Sequence, residues 1–354
     1  MEFLVLDDPL KFYNVMLSDI ALAHDFIYLE TYKFANDHMG VKFRDALTRK
    51  AKEGVKVKLL IDSWGRGPVS DSFFEELTRY GGEVKFFEKI KLNTDIFTRG
   101  HRRDHRKIMI IDDEISYIGS LNITGYNLNW RELALRIKGE LSILFRKIFL
   151  QNYETINPYL IPNKLAFTRT MKLGEWEIMR DVPSIPLQRM KKKYVRMIRR
   201  AQSSVIIETP YFLPGFLLRK AMVDAVKRGV NVTVIMPKHS DMRMIDILRN
   251  RYLGMLSKNA VKLMFFRPHN LHAKLMVIDE TVFSVSSANF DYRSFRYQYE
   301  IALIGKEPEV LRQLHEHLRG TLLNSDAFDY KKWADRPLIE KIFEAILIPF
   351  RHLL

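Results

Sequence analysis

The chain has 354 residues, of which 47% are hydrophobic and 28% charged, so it is long enough for two globular domains with full cores. It contains no cysteine, which excludes structural disulfides, thiol chemistry and cysteine-ligated metals. The formal charge of +15 predicts an acidic partner: nucleic acid, an anionic membrane surface or a phosphorylated substrate. No stretch has the composition of a secretory signal, and no apolar run reaches the roughly 18 residues that span a bilayer.

The first half of the chain alternates between strand-like and helix-like stretches. Residues 26–34 (FIYLETYKF) and 54–62 (GVKVKLLID) are typical of buried strands, and a helical stretch ending in RKAKEG lies between them. The run HRKIMIID at 105–112 predicts a third strand. Because side chains alternate along a strand, His105 and Lys107 share one face. Two cations side by side at a strand end indicate that an anion binds there.

The second half of the chain repeats these features in the same order. Its strands at 205–212 and 229–237 resemble the first two, and HAKLMVID at 272–279 reproduces the histidine, lysine and aspartate spacing of HRKIMIID. A small polar loop begins seven residues after each aspartate, GSLN in the first half and SSAN in the second. An acid then opens an apolar strand in each half, Glu132 before LALRIKG and Glu300 before IALIG.

The repeat predicts an α/β protein with two similar domains, each with a mostly parallel central sheet flanked by helices. A pseudo-twofold axis between them would create one shared active site. Several prolines and the absence of a helical or strand-like hydrophobic period place the boundary between the two domains near 160–186. The predicted divisions are a first domain at 1–160, a linker at 161–186, a second domain at 187–335 and a C-terminal amphipathic helix at 336–354.

A shared site of this composition is suited to displacement at phosphorus. Two lysines and two amide-bearing loops match the non-bridging oxygens of a phosphate, and no metal or other cofactor is needed. One histidine attacks and forms a phosphohistidine, while the other protonates the departing alkoxide and then deprotonates the incoming alcohol. We expect His105 to be the nucleophile and His272 the general acid.

Each remaining site residue is assigned a supporting role. Because a nucleophilic imidazole must present the correct tautomer, we expect each ring to donate its other N–H to a carboxylate, with Glu132 and Glu300 lying 27 and 28 residues beyond the histidines of their own halves. Asp112 and Asp279 complete the two motifs but are expected to fix turns without touching substrate. The predicted catalytic and phosphate-binding residues are His105, Lys107, Asp112, His272, Lys274, Asp279, Ser120, Asn122, Ser287 and Asn289.

The duplicated motif resembles the phospholipase D superfamily, whose signature is HxKxxxxD followed by GSxN. The resemblance covers nearly the whole chain. Within the superfamily the chain is similar in particular to bacterial cardiolipin synthases, in the segments ETPYFLP (208–214) and SSANFDYRSFRYQYE (286–300). It implies transfer of a phosphatidyl group between phospholipids such as phosphatidylglycerol. The pattern departs at Ser286, where the family prefers glycine, and a serine fits this loop if its φ stays negative.

Other activities share this signature and remain open. The same site would serve a hydrolytic phospholipase D or a phosphatidylserine synthase, with water or serine as the acceptor. A nuclease or other phosphodiesterase acting on nucleic acid fits the charge equally well, but no stacking platform or nucleic-acid motif is visible, and we expect no nucleic-acid partner. A non-catalytic binding module would have lost a histidine or a lysine, and both pairs are intact.

Two further segments predict contact with lipid. The basic run at 189–200 (RMKKKYVRMIRR) is either a solvated helix face or a contact for anionic head groups. The C-terminal segment predicts a helix capped by Asp335 and begun by Pro337, with one wide apolar face. Such a helix either docks on its own domain or lies in the membrane surface. We therefore expect a peripheral protein on the cytoplasmic side of the cell membrane, of undetermined oligomeric state.

Overall fold

The computed structural model describes residues 1–65, 69–87, 102–120, 122–154 and 169–352. Part of the predicted linker, residues 161–168, and the predicted domain end at residue 160 lie outside the described residues. The strands of the first half are β1 (Glu2–Leu6), β2 (Phe26–Thr31), β3 (Lys56–Asp62), β4 (Glu83–Phe87), β5 (Arg103–Asp104), β6 (Ile108–Ile111), β7 (Ile115–Gly119) and β8 (Ala134–Lys138). Its helices are α1 (Pro9–Leu22), α2 (His38–Lys52), α3 (Glu75–Arg79) and α4 (Leu141–Glu154).

The second half repeats the same kinds of element. Its strands are β9 (Thr170–Leu173), β10 (Trp176–Asp181), β11 (Ser204–Glu208), β12 (Asn231–Pro237), β13 (Lys262–Phe266), β14 (Leu275–Ile278), β15 (Val282–Ser286), β16 (Gln298–Gly305) and β17 (Ser325–Ala327). Its helices are α5 (Arg189–Arg200), α6 (Phe216–Lys227), α7 (Arg243–Lys258), α8 (Tyr292–Tyr297), α9 (Pro308–Leu323), α10 (Tyr330–Ala334) and α11 (Leu338–Leu347).

Each half contains a mixed sheet, so the expectation of mostly parallel sheets was wrong. The strand order is β1-β8-β7-β6-β2-β3-β4 in the first sheet and β17-β13-β12-β11-β14-β15-β16-β10-β9 in the second. The pairs β2–β3, β3–β4, β11–β12 and β12–β13 are parallel, and the other neighbours along these two orders are antiparallel. Helical crossovers allow the parallel pairs, whereas the short turns after β6 and β14 force antiparallel hairpins.

The glycines that end the first crossover helix of each half occupy equivalent positions. Gly54 follows α2 and Gly229 follows α6, and both have a φ of +90°. A residue with a side chain is strained in this conformation, which is why each basic helix end is followed by glycine. The shared turn directs β3 and β12 back alongside β2 and β11, so the duplication seen in the sequence is also a duplication of backbone geometry.

The second sheet begins earlier than the predicted domain boundary. Strands β9 and β10 form an antiparallel hairpin within the predicted linker, and β10 pairs with β16 as β1 pairs with β8. Trp176 is buried against Phe283 of β15. The described part of the linker from residue 169 onward is therefore largely an edge of the second sheet, which proline content and irregular periodicity concealed.

The two halves share one hydrophobic core. Tyr28, Leu135 and Phe149 of the first half lie in the same buried cluster as Leu275 and Leu314 of the second half. The strand β5, from the first half, pairs in parallel with the start of β16. Because β2, β3, β11 and β12 end where the two histidine segments begin, the active residues meet along one border of the sheets, called here the catalytic edge.

Candidate active site

Each histidine segment is held by the backbone of the opposite half. The His105 amide donates to the carbonyl of Tyr299 at 3.0 Å, and the His272 amide donates to the carbonyl of Arg131 at 2.7 Å. Tyr299 directly precedes Glu300, and Arg131 directly precedes Glu132. The histidines lie just before β6 and β14, in extended chain that borders the partner sheet. The backbone therefore brings each imidazole next to the other half's glutamate.

The histidine–glutamate pairs cross between the halves, so that each of the two glutamates lies beside the histidine of the opposite half. Nδ1 of His105 lies 3.0 Å from Oε1 of Glu300, and Nδ1 of His272 lies 2.9 Å from both carboxylate oxygens of Glu132. Both glutamates are fully buried. Because Nδ1 of each ring faces a carboxylate, the tautomer with a proton on Nδ1 is favoured, and Nε2 is left for substrate.

The serines of the two polar loops bind these same glutamates. The hydroxyl of Ser120 donates to Glu132, and that of Ser287 donates to Glu300. Both serines are fully buried, and a hydroxyl has a single proton to donate. The structure therefore corrects the phosphate-binding role predicted for Ser120 and Ser287, since each hydroxyl instead fixes the carboxylate that orients a histidine.

The asparagines of the loops differ from the serines. The side-chain oxygen of Asn122 accepts from the backbone N–H of Lys33 at 3.2 Å, which directs its amide nitrogen away from that contact. The side-chain oxygen of Asn289 is buried without a hydrogen-bond partner. Asn122 and Asn289 are only 7% and 3% exposed and remain our candidates for donors to a phosphate oxygen.

Lys107 and Lys274 are buried beside the histidines in matching positions. The ammonium of Lys107 donates to the carbonyl of His105 at 2.6 Å, and that of Lys274 donates to the carbonyl of His272 at 2.7 Å. Burial lowers the pKa of Lys107 to about 8 and that of Lys274 to about 7. An anion between the two ammonium groups would restore their usual affinity for protons.

The two halves of the site are electrostatically unequal. Burial and the charges of Lys107 and Lys274 hold the pKa of His105 well below its usual value, and burial raises the pKa of Glu300 to about 7. Burial also lowers the pKa of His272, although the charge of Glu132 opposes it. Burial by itself would raise the pKa of Glu132, but the charges of His272 and Lys274 and the hydrogen bonds from His272 and Ser120 together lower it to about 2. The pKa of His105 is thus held further below its usual value than that of His272, which favours protonation of His272 over His105.

The aspartates of the two motifs lie at the far end of their strands and shape turns. Asp112 and Asp279 each have a φ of +52° and open the three-residue connections 112–114 and 279–281 of the two hairpins. The carboxylate of Asp112 accepts backbone N–H groups from His24 to Phe26, and that of Asp279 accepts them from residues 202–204. This agrees with the turn-fixing role expected for them and places neither at the catalytic edge.

Sequence reasoning missed a second pair of buried carboxylates. Glu30 and Glu208, at equivalent places in LET and IET, are both fully buried. Arg106 pairs with Glu30 at 2.8 Å, whereas Ala273 stands at the corresponding position of the second half. There His317 of α9 lies 2.7 Å from Glu208. The repeated glutamate was a signal in the sequence, but the residues that bind it differ in type: Asn152 of α4 donates to Glu30 at 2.9 Å, whereas α9 supplies His317 to Glu208.

Aromatic rings border both histidines. Tyr32 contacts the His105 ring edge-on at 5.2 Å, and Trp130 contacts the His272 ring at 5.4 Å. Tyr211, which follows β11, donates its hydroxyl to Asp241 at 2.7 Å. Among the described residues, no group of three or more histidine, aspartate or glutamate side chains is arranged to hold a metal ion.

Comparison with known proteins assigns the chain to a family. The model for "Cardiolipin synthase, PLD-like domain" matches residues 16–153 and 194–322. The chain is 31% identical over 353 residues to the major cardiolipin synthase ClsA of Bacillus subtilis, covering 97% of this chain and 73% of that protein. The chain belongs to the cardiolipin synthase family of phospholipase D-like proteins. It is accordingly an enzyme of the phosphatidyltransferase class.

A second relative agrees with this assignment, and two solved structures share the fold. A cardiolipin synthase of Listeria monocytogenes is 30% identical over 345 residues, covering 94% of this chain and 71% of that one. The fold matches that of phosphatidylserine synthase from Haemophilus influenzae with a TM-score of 0.79 and 13% identity, over 99% of this chain and 95% of that chain. Polyphosphate kinase from Porphyromonas gingivalis matches with a TM-score of 0.65 and 13% identity, over 99% and 53% of the two chains.

The departure from the family signature at Ser286 is accommodated by the backbone. Ser286 is not among the described residues with positive φ, and it lies in regular register opposite Ala302. Gly119, its counterpart, does need to be glycine, because a Cβ there would lie 2.3 Å from the carbonyl oxygen of Leu133. The glycine of the motif is therefore required by close packing in the first half alone.

Proposed function

We propose that this enzyme carries out the reaction of its family through a phosphohistidine on His105, transferring a phosphatidyl group from one phospholipid to another. In the simplest case two molecules of phosphatidylglycerol give cardiolipin and glycerol. The observation that carries the proposal is the pair of crossed histidine–glutamate contacts beside two buried lysines. It supplies a nucleophile, a proton carrier and two positive charges around a single phosphate.

The first step forms the covalent intermediate. The lone pair on Nε2 of His105 attacks the phosphorus of the donor, and the bond from phosphorus to the head-group oxygen breaks. Nε2 of His272 gives its proton to that oxygen, and glycerol leaves as a neutral alcohol. Glu300 accepts the Nδ1 proton of His105 in a hydrogen bond and stabilises the positive charge that develops on the ring.

The second step returns the enzyme to its starting state. Nε2 of His272, now unprotonated, takes the proton from a hydroxyl of the acceptor phosphatidylglycerol. The acceptor oxygen attacks phosphorus, the phosphorus–nitrogen bond breaks, and His105 recovers its lone pair. Lys107, Lys274 and the amides of Asn122 and Asn289 stabilise the charge on the non-bridging oxygens throughout.

The lysines are suited to this role because the charge of a bound phosphate offsets the free-energy cost of burying their ammonium groups. Both are buried, and burial lowers the pKa of each lysine, so two positive charges here are disfavoured without a neighbouring anion. A phosphodiester placed between them carries the compensating negative charge. Binding and charge stabilisation therefore both depend on the phosphate, which explains how a site in a protein of +15 charge selects one anionic group.

The alternatives differ only in the acceptor. Water would make the enzyme a hydrolytic phospholipase D, and serine would make it a phosphatidylserine synthase. The similarity to the solved phosphatidylserine synthase concerns the fold alone, at 13% identity. We place the enzyme at the cytoplasmic side of the cell membrane as a peripheral protein. Among the described helices, none is long and apolar enough to cross a bilayer.

Product analysis tests the proposal. The purified chain is incubated with phosphatidylglycerol vesicles, and lipids and released alcohols are measured by mass spectrometry. Formation of cardiolipin and glycerol in equal amounts is expected. Phosphatidic acid as the main product would establish hydrolysis, and a serine-dependent product would establish the synthase alternative. The double variant H105A/H272A is the control, because it removes both chemical groups and leaves the lipid-facing surface intact.

A further inference from the structure

The C-terminal helix is docked with its polar side inward. Glu344 of α11 is 6% exposed and pairs with Arg336 at 2.7 Å and with Arg251 of α7 at 3.6 Å. The predicted cap at Asp335 was wrong, because this residue ends α10, and α11 begins after Pro337. Most apolar residues of the helix and of the turn after it face solvent instead: Leu338, Ile339, Ile342, Phe343, Ile346 and Phe350 are between 46% and 71% exposed.

This arrangement is the reverse of an ordinary terminal helix. A helix that only covers a domain buries its apolar stripe and exposes its charges. Here Glu344 binds the protein, and the apolar stripe forms a contiguous exposed patch. Patches of this kind mark surfaces that contact another apolar phase. Docking on the domain was one reading of the sequence and an interfacial helix the other, and α11 has features of both: it is docked, and its apolar face remains free.

The helix leads directly to the active site. Leu347 and Ile348, at its C-terminal end, pack against the cluster that contains Leu213. His352 contacts the ring of Tyr292 at 4.6 Å. Tyr292 lies three residues after Asn289, one of the candidate phosphate donors, and Leu213 follows β11 at the catalytic edge. The C-terminal end of α11 thus packs against segments that flank the loops of the site.

Other loops at the catalytic edge also present apolar side chains to solvent. Each follows a strand that ends at this edge: Trp64 after β3, Tyr126 after β7, Phe216 after β11 and Met242 after β12. Their exposed fractions are 58%, 67%, 66% and 36%. These four residues are called here the apolar rim. Exposed aromatic and apolar groups from both halves therefore surround the site on the side where substrate must enter.

Positive charge accompanies the apolar surface. Arg243 at the start of α7, Lys331 and Lys332 of α10, and Lys341 of α11 are exposed near the helix. The combination of apolar side chains and flanking lysines or arginines is typical of helices that lie in the head-group region of anionic bilayers. The substrates of the proposed reaction are themselves anionic lipids of such a bilayer.

We propose that α11 and the apolar rim form one interfacial surface that lies in an anionic lipid bilayer and presents the catalytic edge to the lipid head groups. This inference rests on the proposed function for the choice of partner. A second copy of the chain is the competing occupant, but isolated basic residues around the patch fit lipid phosphates better than a second positively charged surface. Membrane-inserted apolar groups would also keep attachment when salt screens the charges.

The test compares two double variants with equal changes in charge, each replacing two exposed apolar residues by glutamate. I342E/F343E alters the α11 face, and L22E/L323E alters exposed leucines outside the rim, which are 65% and 76% exposed. Sedimentation with vesicles of phosphatidylglycerol and phosphatidylcholine is measured at about 0.15 M salt. Transfer is measured on those vesicles and on a short-chain phosphatidylglycerol kept below its micelle concentration. Circular dichroism and thermal unfolding check that the variants fold.

The expected result separates binding from chemistry. I342E/F343E should bind vesicles at least about tenfold more weakly and lose vesicle turnover in proportion, while L22E/L323E behaves as the wild type. Turnover of the soluble lipid should be equal in all three proteins. Vesicle binding by I342E/F343E equal to that of the wild type would overturn the inference, as would a wild-type dimer that this variant dissociates. If none of the three proteins turns over the soluble lipid but vesicle binding changes as expected, the proposed reaction is contradicted and the inference about the membrane-binding surface is still supported.

Discussion

His105 and Glu300 are 195 residues apart in the chain, yet Nδ1 of the histidine lies 3.0 Å from the carboxylate of the glutamate. The same contact joins His272 to Glu132 in the opposite direction across the molecule. Each half therefore orients the motif histidine of the other half. Under the proposed mechanism both copies of the fold are needed, since each supplies the glutamate that positions the other's imidazole.

The leaving group should distinguish the roles of the two histidines. A p-nitrophenyl phosphodiester needs no proton to depart, so H272A should release p-nitrophenol within about tenfold of the wild-type rate of the first step. H105A should lose about 10³-fold or more on this substrate and on the natural donor. Stopped-flow absorbance measures the burst. H272A should also accumulate a phosphohistidine on His105, and finding it on His272 in H105A would reverse the assignment.

The crossed pairing predicts which glutamate variant follows which histidine variant. E300Q should lose activity on both substrates, as H105A does but to a smaller extent. The reason is that Glu300 orients the nucleophile and stabilises the positive charge that develops on it. E132Q should lose activity on the natural donor but keep most of the first-step rate on the p-nitrophenyl substrate, as H272A does. Parallel steady-state kinetics of the four variants provide the comparison. Recovery by E300Q instead of E132Q would show that the structural pairs do not act as functional pairs.

The rate should have a narrow optimum near neutral pH. Burial raises the pKa of Glu300 to about 7, so its charged form is lost as pH falls through this value. Burial lowers the pKa of Lys274 to about 7 and of Lys107 to about 8, so their charges are lost as pH rises. On a soluble substrate kcat/KM should fall on both sides of the optimum pH. A bound phosphate should shift the alkaline limb of the kcat profile to higher pH. E300Q should lack the acid limb; a flat profile from about pH 6 to about pH 8 would contradict these shifts.

The motif aspartates should prove structural. Replacing Asp279 by asparagine keeps a residue that tolerates positive φ but removes the negative charge that accepts backbone N–H groups of residues 202–204. We expect a loss of about 1–3 kcal/mol in the free energy of unfolding and unchanged turnover per folded molecule. D112N in the first half is the matched variant. Thermal unfolding and active-site titration measure the two quantities, and a large fall in turnover at full stability would make the aspartates catalytic.

His317 should contribute pH-dependent stability. It is buried between Glu208 and Asp7, at 2.7 Å and 3.1 Å, and although burial opposes the charged form, these carboxylates raise its pKa. A histidine with a raised folded-state pKa stabilises the protein fully at low pH and loses that contribution as pH rises through the folded pKa. H317Q should therefore unfold at lower temperature, with a difference from wild type that shrinks as pH rises from about 6 to about 9. If the unfolding temperatures of H317Q and the wild type differ by the same amount at every pH, the His317 ring is neutral in the folded protein.

Activity should not depend on a divalent metal. Lys107 and Lys274 provide the positive charge that metal ions supply in other phosphoryl-transfer sites. Dialysis against EDTA followed by the lipid assay should leave turnover unchanged, with magnesium added back as the control. Loss of turnover that the metal restores would contradict the site described above.

Much of the site could be predicted from the sequence because the duplication repeats local patterns. His105, Lys107 and their counterparts occur at a fixed spacing within continuous segments, and strand periodicity alone places each pair on one face. The turn role of Asp112 follows for the same reason, since a hairpin turn is a local structure. The helical crossovers were also local signals, but the antiparallel hairpins were missed because an apolar strand does not reveal the direction of its neighbours.

The sequence by itself determined the chemical inventory: two histidines, two lysines, two glutamates and the family to which they belong. Only the tertiary structure decided which glutamate serves which histidine, that Ser120 and Ser287 hold those glutamates, and that α11 turns Glu344 inward. These outcomes depend on contacts between residues far apart in the chain, and periodicity within one segment contains no information on what lies opposite it. The physical reason is that a segment specifies the faces it presents, whereas the partner of each face is selected by packing of the whole molecule.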